Sequence, residues 1–70
     1  MAARTAATLT NTNADVWHLR SVAGQQLAAI TGSEERVLGP ASAVLVADHG
    51  YTPGEWARRG PGRYAYVIDD

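Results

Sequence analysis

The longest run of large aliphatic residues lies in the middle of the chain, at residues 43–48 (AVLVAD). Three such residues stand in a row there, and two of them are β-branched. Turn residues bound the run on both sides, with Gly39-Pro40 upstream and His49-Gly50 downstream. Short apolar runs bounded in this way are typical of strands buried on both faces. The pattern therefore predicts that residues 43–48 form the central strand of a small sheet.

Two other segments alternate between apolar and polar positions. In residues 15–21 (DVWHLRS), Trp17 and Leu19 share one face, while His18 and Arg20 share the other. Residues 63–68 (RYAYVI) alternate in the same way. This period of two residues is typical of half-buried strands, so both segments are predicted to be strands.

The segment that follows the first alternating stretch has two interpretations. A hairpin turn at residues 23–24 would place Trp17 opposite Ile30 and Leu19 opposite Ala28, with both pairs on one face. This register agrees with the alternation of the preceding strand, so we favour the hairpin.

The alternative is a helix over residues 22–31. Ser21 would be its N-cap, Gly32 would end it, and its glutamine, leucine and alanine residues are good helix formers. The apolar positions of this segment make only a poor helical stripe.

The two remaining segments lack a clear strand pattern. Residues 1–14 consist mostly of alanine, threonine and asparagine, with Leu9 as the single large aliphatic residue after Met1. We expect a flexible or extended N-terminal arm there, although residues 5–10 could instead add an edge strand. At residues 52–59, Thr52 followed by Pro53 and a glutamate at the capping-box position predicts one short helical turn.

Short strands separated by turn residues predict a mainly β fold, a small barrel or a rolled antiparallel sheet, with residues 15–70 as a single domain. Residues 54–56 (GEW) and 62–67 (GRYAYV) stand where a bacterial SH3-like barrel has its GxW-type segment and its GxxxYV-type strand. The chain resembles that class of barrel in its second half. The resemblance implies an architecture and no particular function.

Composition narrows the classes of function. A domain of 70 residues buries a small core, and this chain has no cysteine that could add a disulfide or a thiolate metal site. Association with other chains is a common way to stabilise such a scaffold. The formal net charge of −1 gives no bulk attraction to nucleic acid or anionic membranes. No run is long and apolar enough for a transmembrane helix, and no secretory leader is recognisable, so we expect a cytoplasmic protein or part of a particle assembled there.

Candidate catalytic chemistry is sparse. The serines lie in no nucleophile motif, and His18 and His49 have no spacing typical of metal ligands. We therefore expect no catalytic residue, no metal, no cofactor and no small-molecule substrate. Residues 34–40 (EERVLGP) resemble the glutamate-to-VLxP segment of ADP-ribosyltransferases, with Arg36 where that family has its catalytic glutamate. A degenerate fragment of such an enzyme is thus one alternative.

Arginines and aromatic residues concentrate in the glycine-rich stretch 56–64. These residue types are enriched at protein interfaces, and every cation of the chain is an arginine. We expect a non-enzymatic interaction or assembly module, a structural subunit of a homo-oligomer or of a virion-like or shell-like particle. A small barrel that binds nucleic acid through this stretch is the other alternative. The predicted interface residues are Trp56, Arg58, Arg59, Arg63, Tyr64, His18 and Arg20.

Overall fold

The protein folds as one five-stranded antiparallel sheet with a helical segment on one of its faces. The structure is a computed structural model and describes residues 2–13 and 15–69. In chain order its elements are β1 (Ala3–Asn13), β2 (Val16–Ser21), β3 (Gln26–Thr31), α1 (Glu34–Ala43), a π-helical turn (Val44–Asp48), β4 (Glu55–Gly60) and β5 (Arg63–Asp69). The strand order is β3-β2-β1-β5-β4. The predicted mainly β fold is confirmed in its form of a rolled sheet, and the sheet does not close into a barrel.

The N-terminal segment is extended, as expected, but it is not an arm. Ala3–Asn13 forms β1, which pairs with β2 on one side and with β5 on the other. It is therefore the central strand of the sheet, and not the edge strand of the alternative prediction. Ala7 and Leu9 have no exposed surface, so this strand contributes directly to the core. Residues 1 and 14 of the predicted arm lie outside the described residues.

The prediction of a central strand at residues 43–48 is wrong. These residues end α1 and form the π-helical turn that follows it. Val37, Ala41 and Leu45 recur at a spacing of four residues and are fully buried, so the helical stripe packs on the sheet. This burial outweighs the strand preference of the valines, since tertiary packing routinely overrides local propensity. The helix also accommodates Pro40 in its interior.

The β2–β3 hairpin confirms the predicted pairing. Trp17 lies opposite Ile30 and Leu19 opposite Ala28, and the helix proposed as an alternative for this segment does not form. The turn is one residue longer than predicted, because the Ser21 N–H bonds to the Gln25 carbonyl oxygen at 2.9 Å. A β-bulge takes up the extra residue and preserves the predicted register deeper in the hairpin.

The predicted helical turn at residues 52–59 is also wrong, because Glu55–Gly60 forms β4 and pairs with β5. The pairing places Trp56 opposite Tyr66, with their ring centroids 4.9 Å apart. Pro61 and Gly62 make the tight turn, and Gly62 adopts the positive φ of 65° that favours glycine. The final strand, predicted at residues 63–68, is confirmed as β5.

Within residues 2–13 and 15–69, helical secondary structure covers one face of the sheet and no layer covers the other. Leu9 lies opposite Leu19 on one side and Tyr64 on the other, and these side chains face α1. The neighbouring Thr8 and Thr10 alternate to the other side of the sheet. We call that second side the open face.

Candidate interaction surfaces

Trp56 lies on the covered face, where it attaches β4 to the helix. Its indole N–H donates a hydrogen bond to the Leu38 carbonyl oxygen at 3.1 Å. Its ring packs on Tyr66, which has no exposed surface. The partly buried Trp56 therefore makes internal contacts, which explains its position without an external partner.

Arg58 and Tyr64 also lie on the covered face, and both bind Glu34 at the start of α1. The Tyr64 hydroxyl donates to Glu34 Oε2 at 2.5 Å, and Arg58 Nε donates to the same oxygen at 3.2 Å. The hydrogen bond from Tyr64 lowers the pKa of the Glu34 carboxyl, and the Arg58 charge acts in the same direction. The same bond raises the pKa of the Tyr64 hydroxyl. This cluster connects the helix N-terminus to the β4–β5 hairpin.

The segment that resembles part of the ADP-ribosyltransferases, residues 34–40, forms the first turns of α1. Its first glutamate is the one held by Tyr64 and Arg58. Two acidic residues in the first helical turn also interact favourably with the positive end of the helix dipole. The local structure thus gives both glutamates a role in helix stability.

The other predicted interface residues lie on or beside the open face. Thr8 lies opposite Arg20, and Thr10 lies opposite both His18 and Arg63. Arg59 is an exposed residue in the bulge of β4. The seven predicted residues are thus divided between two surfaces, with Trp56, Arg58 and Tyr64 on the covered face.

The middle of the open face carries small and weakly polar side chains. The solvated face of an antiparallel sheet normally carries polar and charged residues. Here Arg63 lies toward one end of the face, and Glu55 and Asp69 lie toward the other, whereas Arg20 lies near the middle, opposite Thr8. The same face carries small or weakly polar side chains at Thr8, Thr10, Ala29, Ala57, Ala65 and Val67.

Most residues of this surface are not among the predicted interface residues, namely Thr8, Thr10, Ala65, Val67 and Asp69. Alternation within 63–68 does assign Ala65 and Val67 to one side of a strand. However, nothing in the local pattern shows that β1 lies between β2 and β5. Only that strand order brings the threonines of β1 beside the alanine and valine of β5.

His18 has an unusual environment on the open face. Its Nδ1 atom is buried and has no hydrogen-bond partner among the described residues. Its cross-strand neighbours, Thr10 and Ala29, are both small. A buried nitrogen without a hydrogen bond lowers the stability of the folded state. The His18 imidazole contributes packing to this face, and its Nδ1 atom contributes no polar contact among the described residues.

Two shallow grooves border the sheet near the start of β1. One has a volume of about 380 Å³ and lies between Arg4 and the loop at residues 49–52. The other, of about 440 Å³, lies beside Gly54 and Asp69. Within residues 2–13 and 15–69 there is no group of three histidine or acidic side chains placed to hold a metal ion. Over the same residues, no helix has the length and apolar character needed to cross a bilayer.

Comparisons of the chain with protein-family models, curated protein sequences and solved structures found no match.

Proposed function

We propose that this protein is a non-enzymatic assembly module that associates with other copies of itself through the open face of its sheet. The observation that carries the proposal is the composition of that face. On β1, β4 and β5, threonine and alanine occupy its middle, and Arg63, Glu55 and Asp69 lie toward its ends. Protein interfaces have the same arrangement, with few charges at the centre and a polar rim.

The small core supports the same proposal. Among the described residues, four of the eleven buried apolar side chains are alanines, which bury little area each: Ala6, Ala7, Ala41 and Ala65. The α1 segment covers only one face of the sheet, which leaves the open face available for further burial. Antiparallel sheets that pack face to face bury their inner side chains in a second core.

Binding of single-stranded nucleic acid is less well supported. Such binding combines a basic groove with aromatic rings on which bases stack. In this protein Trp56 and Tyr64 face α1, and the open face carries Glu55 and Asp69 as well as arginines. We expect a labelled oligonucleotide to bind weakly at physiological salt. Steeply salt-dependent binding that an Arg58→Ala and Arg59→Ala double variant abolishes would support the nucleic-acid function instead.

The variant Thr8→Glu tests the proposed surface. The new carboxylate would lie directly opposite Arg20, and a cross-strand pair of opposite charges favours the folded monomer. In an assembly, the same carboxylate would be buried at the centre of the contact, which is costly. We expect light scattering to show association of the wild type and a monomer for Thr8→Glu, with unchanged circular dichroism.

The matched control is Thr52→Glu, which adds the same group in an exposed loop away from the open face. This control should associate as the wild type does. If Thr8→Glu and Thr52→Glu associate equally, the open face is not the surface of assembly. A wild-type chain that stays monomeric at millimolar concentration would contradict the proposed function itself.

A further inference from the structure

Strand β5 has opposite charges at the two ends of its open-face side. Alternation along the strand places Arg63, Ala65, Val67 and Asp69 on this side. Arg63 and Asp69 are exposed, whereas Ala65 is only 2% exposed. The two charged residues are six positions apart, or about 20 Å along a strand, too far for contact within one chain. Among the described residues, neither forms an ion pair.

We propose that two copies of the chain form a closed two-fold dimer in which β5 packs antiparallel on β5 of the other copy, open face to open face. This inference rests on the proposed function and names its geometry. With the two-fold axis at Tyr66, Arg63 of each copy faces Asp69 of the other, and Ala65 faces Val67. In a two-fold interface, residue i of one copy contacts residue j of the other, and residue j of the first copy contacts residue i of the second. Such a dimer is closed and does not extend into a filament.

The charges on β4 and β5 fit this orientation. Arg63 lies toward one end of these strands, and Glu55 and Asp69 lie toward the other. An antiparallel arrangement places Arg63 of each copy over the acidic end of its partner, while Arg20 lies on β2, near the middle of the strands, and is not part of this complementarity. A parallel arrangement would place like charges together, which is strongly unfavourable at an interface.

The usual angle between packed sheets is compatible with these contacts. Aligned sheets cross at about 30°. Each charged residue is three positions from Tyr66, or about 10 Å from the axis, so this rotation moves it sideways by about 5 Å. A long arginine side chain can cover that displacement. The small side chains between the two charged pairs also permit close approach of the sheets.

The strands that extend to both sides of the axis are β1, β4 and β5, because β2 ends at Ser21, which is level with Tyr66, and β3 pairs with β2. Three strands spaced by about 4.8 Å and about 20 Å long give roughly 290 Å² of flat area on each copy. The two faces together bury roughly 600 Å², an area typical of a weak and transient contact, so we expect the dimer to dissociate at low protein concentration.

A complementary pair of charge variants tests the dimer. Arg63→Asp alone places its new carboxylate against Asp69 of the other copy, twice across the interface, and Asp69→Arg alone places two arginines together twice. We expect each variant by itself to have a dimer dissociation constant at least about 30-fold above that of the wild type. An equimolar mixture of the two restores opposite-charge contacts, so we expect heterodimers within about threefold of the wild-type affinity.

The controls are an Arg36→Asp variant and an equimolar mixture of that variant with Glu35→Arg. Both positions are exposed on α1, away from the open face, and these samples should dimerise as the wild type does. Masses are measured by light scattering and affinities by analytical ultracentrifugation.

If the wild type associates but the two open-face variants also dimerise alone, or fail to pair when mixed, the β5-on-β5 dimer is wrong while self-association stands. If instead the substitution Ala28→Pro in the edge strand β3 prevents dimerisation and the charge substitutions do not, the dimer forms by edge pairing. A wild-type monomer would contradict both proposals.

Discussion

The substitution Leu9→Ala tests whether the N-terminal segment is the central strand of the fold. Leu9 has no exposed surface and lies between Leu19 on β2 and Tyr64 on β5, under the helical layer. Because strands hold the site on both sides, the cavity cannot collapse freely. We therefore expect a loss of about 3 kcal/mol in the free energy of unfolding, near the middle of the range for buried leucines.

This loss is large for so small a protein. A domain of 70 residues has a total stability of about 4–10 kcal/mol, so Leu9→Ala should remove a third or more of it. The melting temperature should fall by about 12–24 °C. Urea unfolding followed by circular dichroism at low protein concentration measures the change without a contribution from association.

The matched control is Val22→Ala, because Val22 is 68% exposed in the β2–β3 turn. Its free energy of unfolding should stay within about 0.5 kcal/mol of the wild type. A loss below about 1 kcal/mol for Leu9→Ala would refute the central strand, since truncation in a loose arm would cost as little as the control.

Two further substitutions test local features. In Gly54→Ala, the added methyl group would overlap the Val67 carbonyl oxygen, so we expect the free energy of unfolding to fall by about 2 kcal/mol in a thermal melt. Gly39 has open space around it, so Gly39→Ala should stabilise α1 by about 0.5–1 kcal/mol. Equal effects of the two alanines would contradict the close approach at Gly54. Since the pKa of Glu34 is lowered in the folded state, its contribution to stability is present above its ordinary value of 4.5 and is lost as the pH falls through the folded pKa. The stability difference between wild type and Glu34→Gln should therefore shrink below pH 4.5, and a difference that stays constant down to pH 2 would exclude this linkage.

The sequence predicts those parts of the fold in which local alternation and cross-strand partners agree. The β2–β3 register follows from the apolar pairs of Trp17 and Leu19, and β5 follows from its alternating tyrosines. The helix was missed because its buried stripe is interrupted by Gly39 and Pro40 and ends in a valine-rich run that has strand propensity.

The two other errors have related causes. β1 consists of alanine and threonine, and its central position depends on pairing with the distant β5. The residues before β4 have the sequence pattern of a helix N-terminus. In the structure, however, the Gly54 N–H donates a hydrogen bond to the Tyr66 hydroxyl at 2.7 Å. The candidate surface shows the same limit, since the predicted residues include Arg63 but not its proposed partner Asp69. Pairing between two copies of one strand cannot be read from local pattern alone.

Self-association through the open face is tested most directly by nuclear magnetic resonance of a mixed sample, in which half of the chains are labelled with ¹³C and half are unlabelled. Isotope-filtered nuclear Overhauser spectra of this sample detect only contacts between different copies. We expect intermolecular contacts between the Ala65 methyl group of one copy and the Val67 methyl groups of another, and none to the Ala41 methyl group beneath the sheet. Intermolecular contacts confined to β3, or to the exposed side of α1, would contradict self-association through the open face.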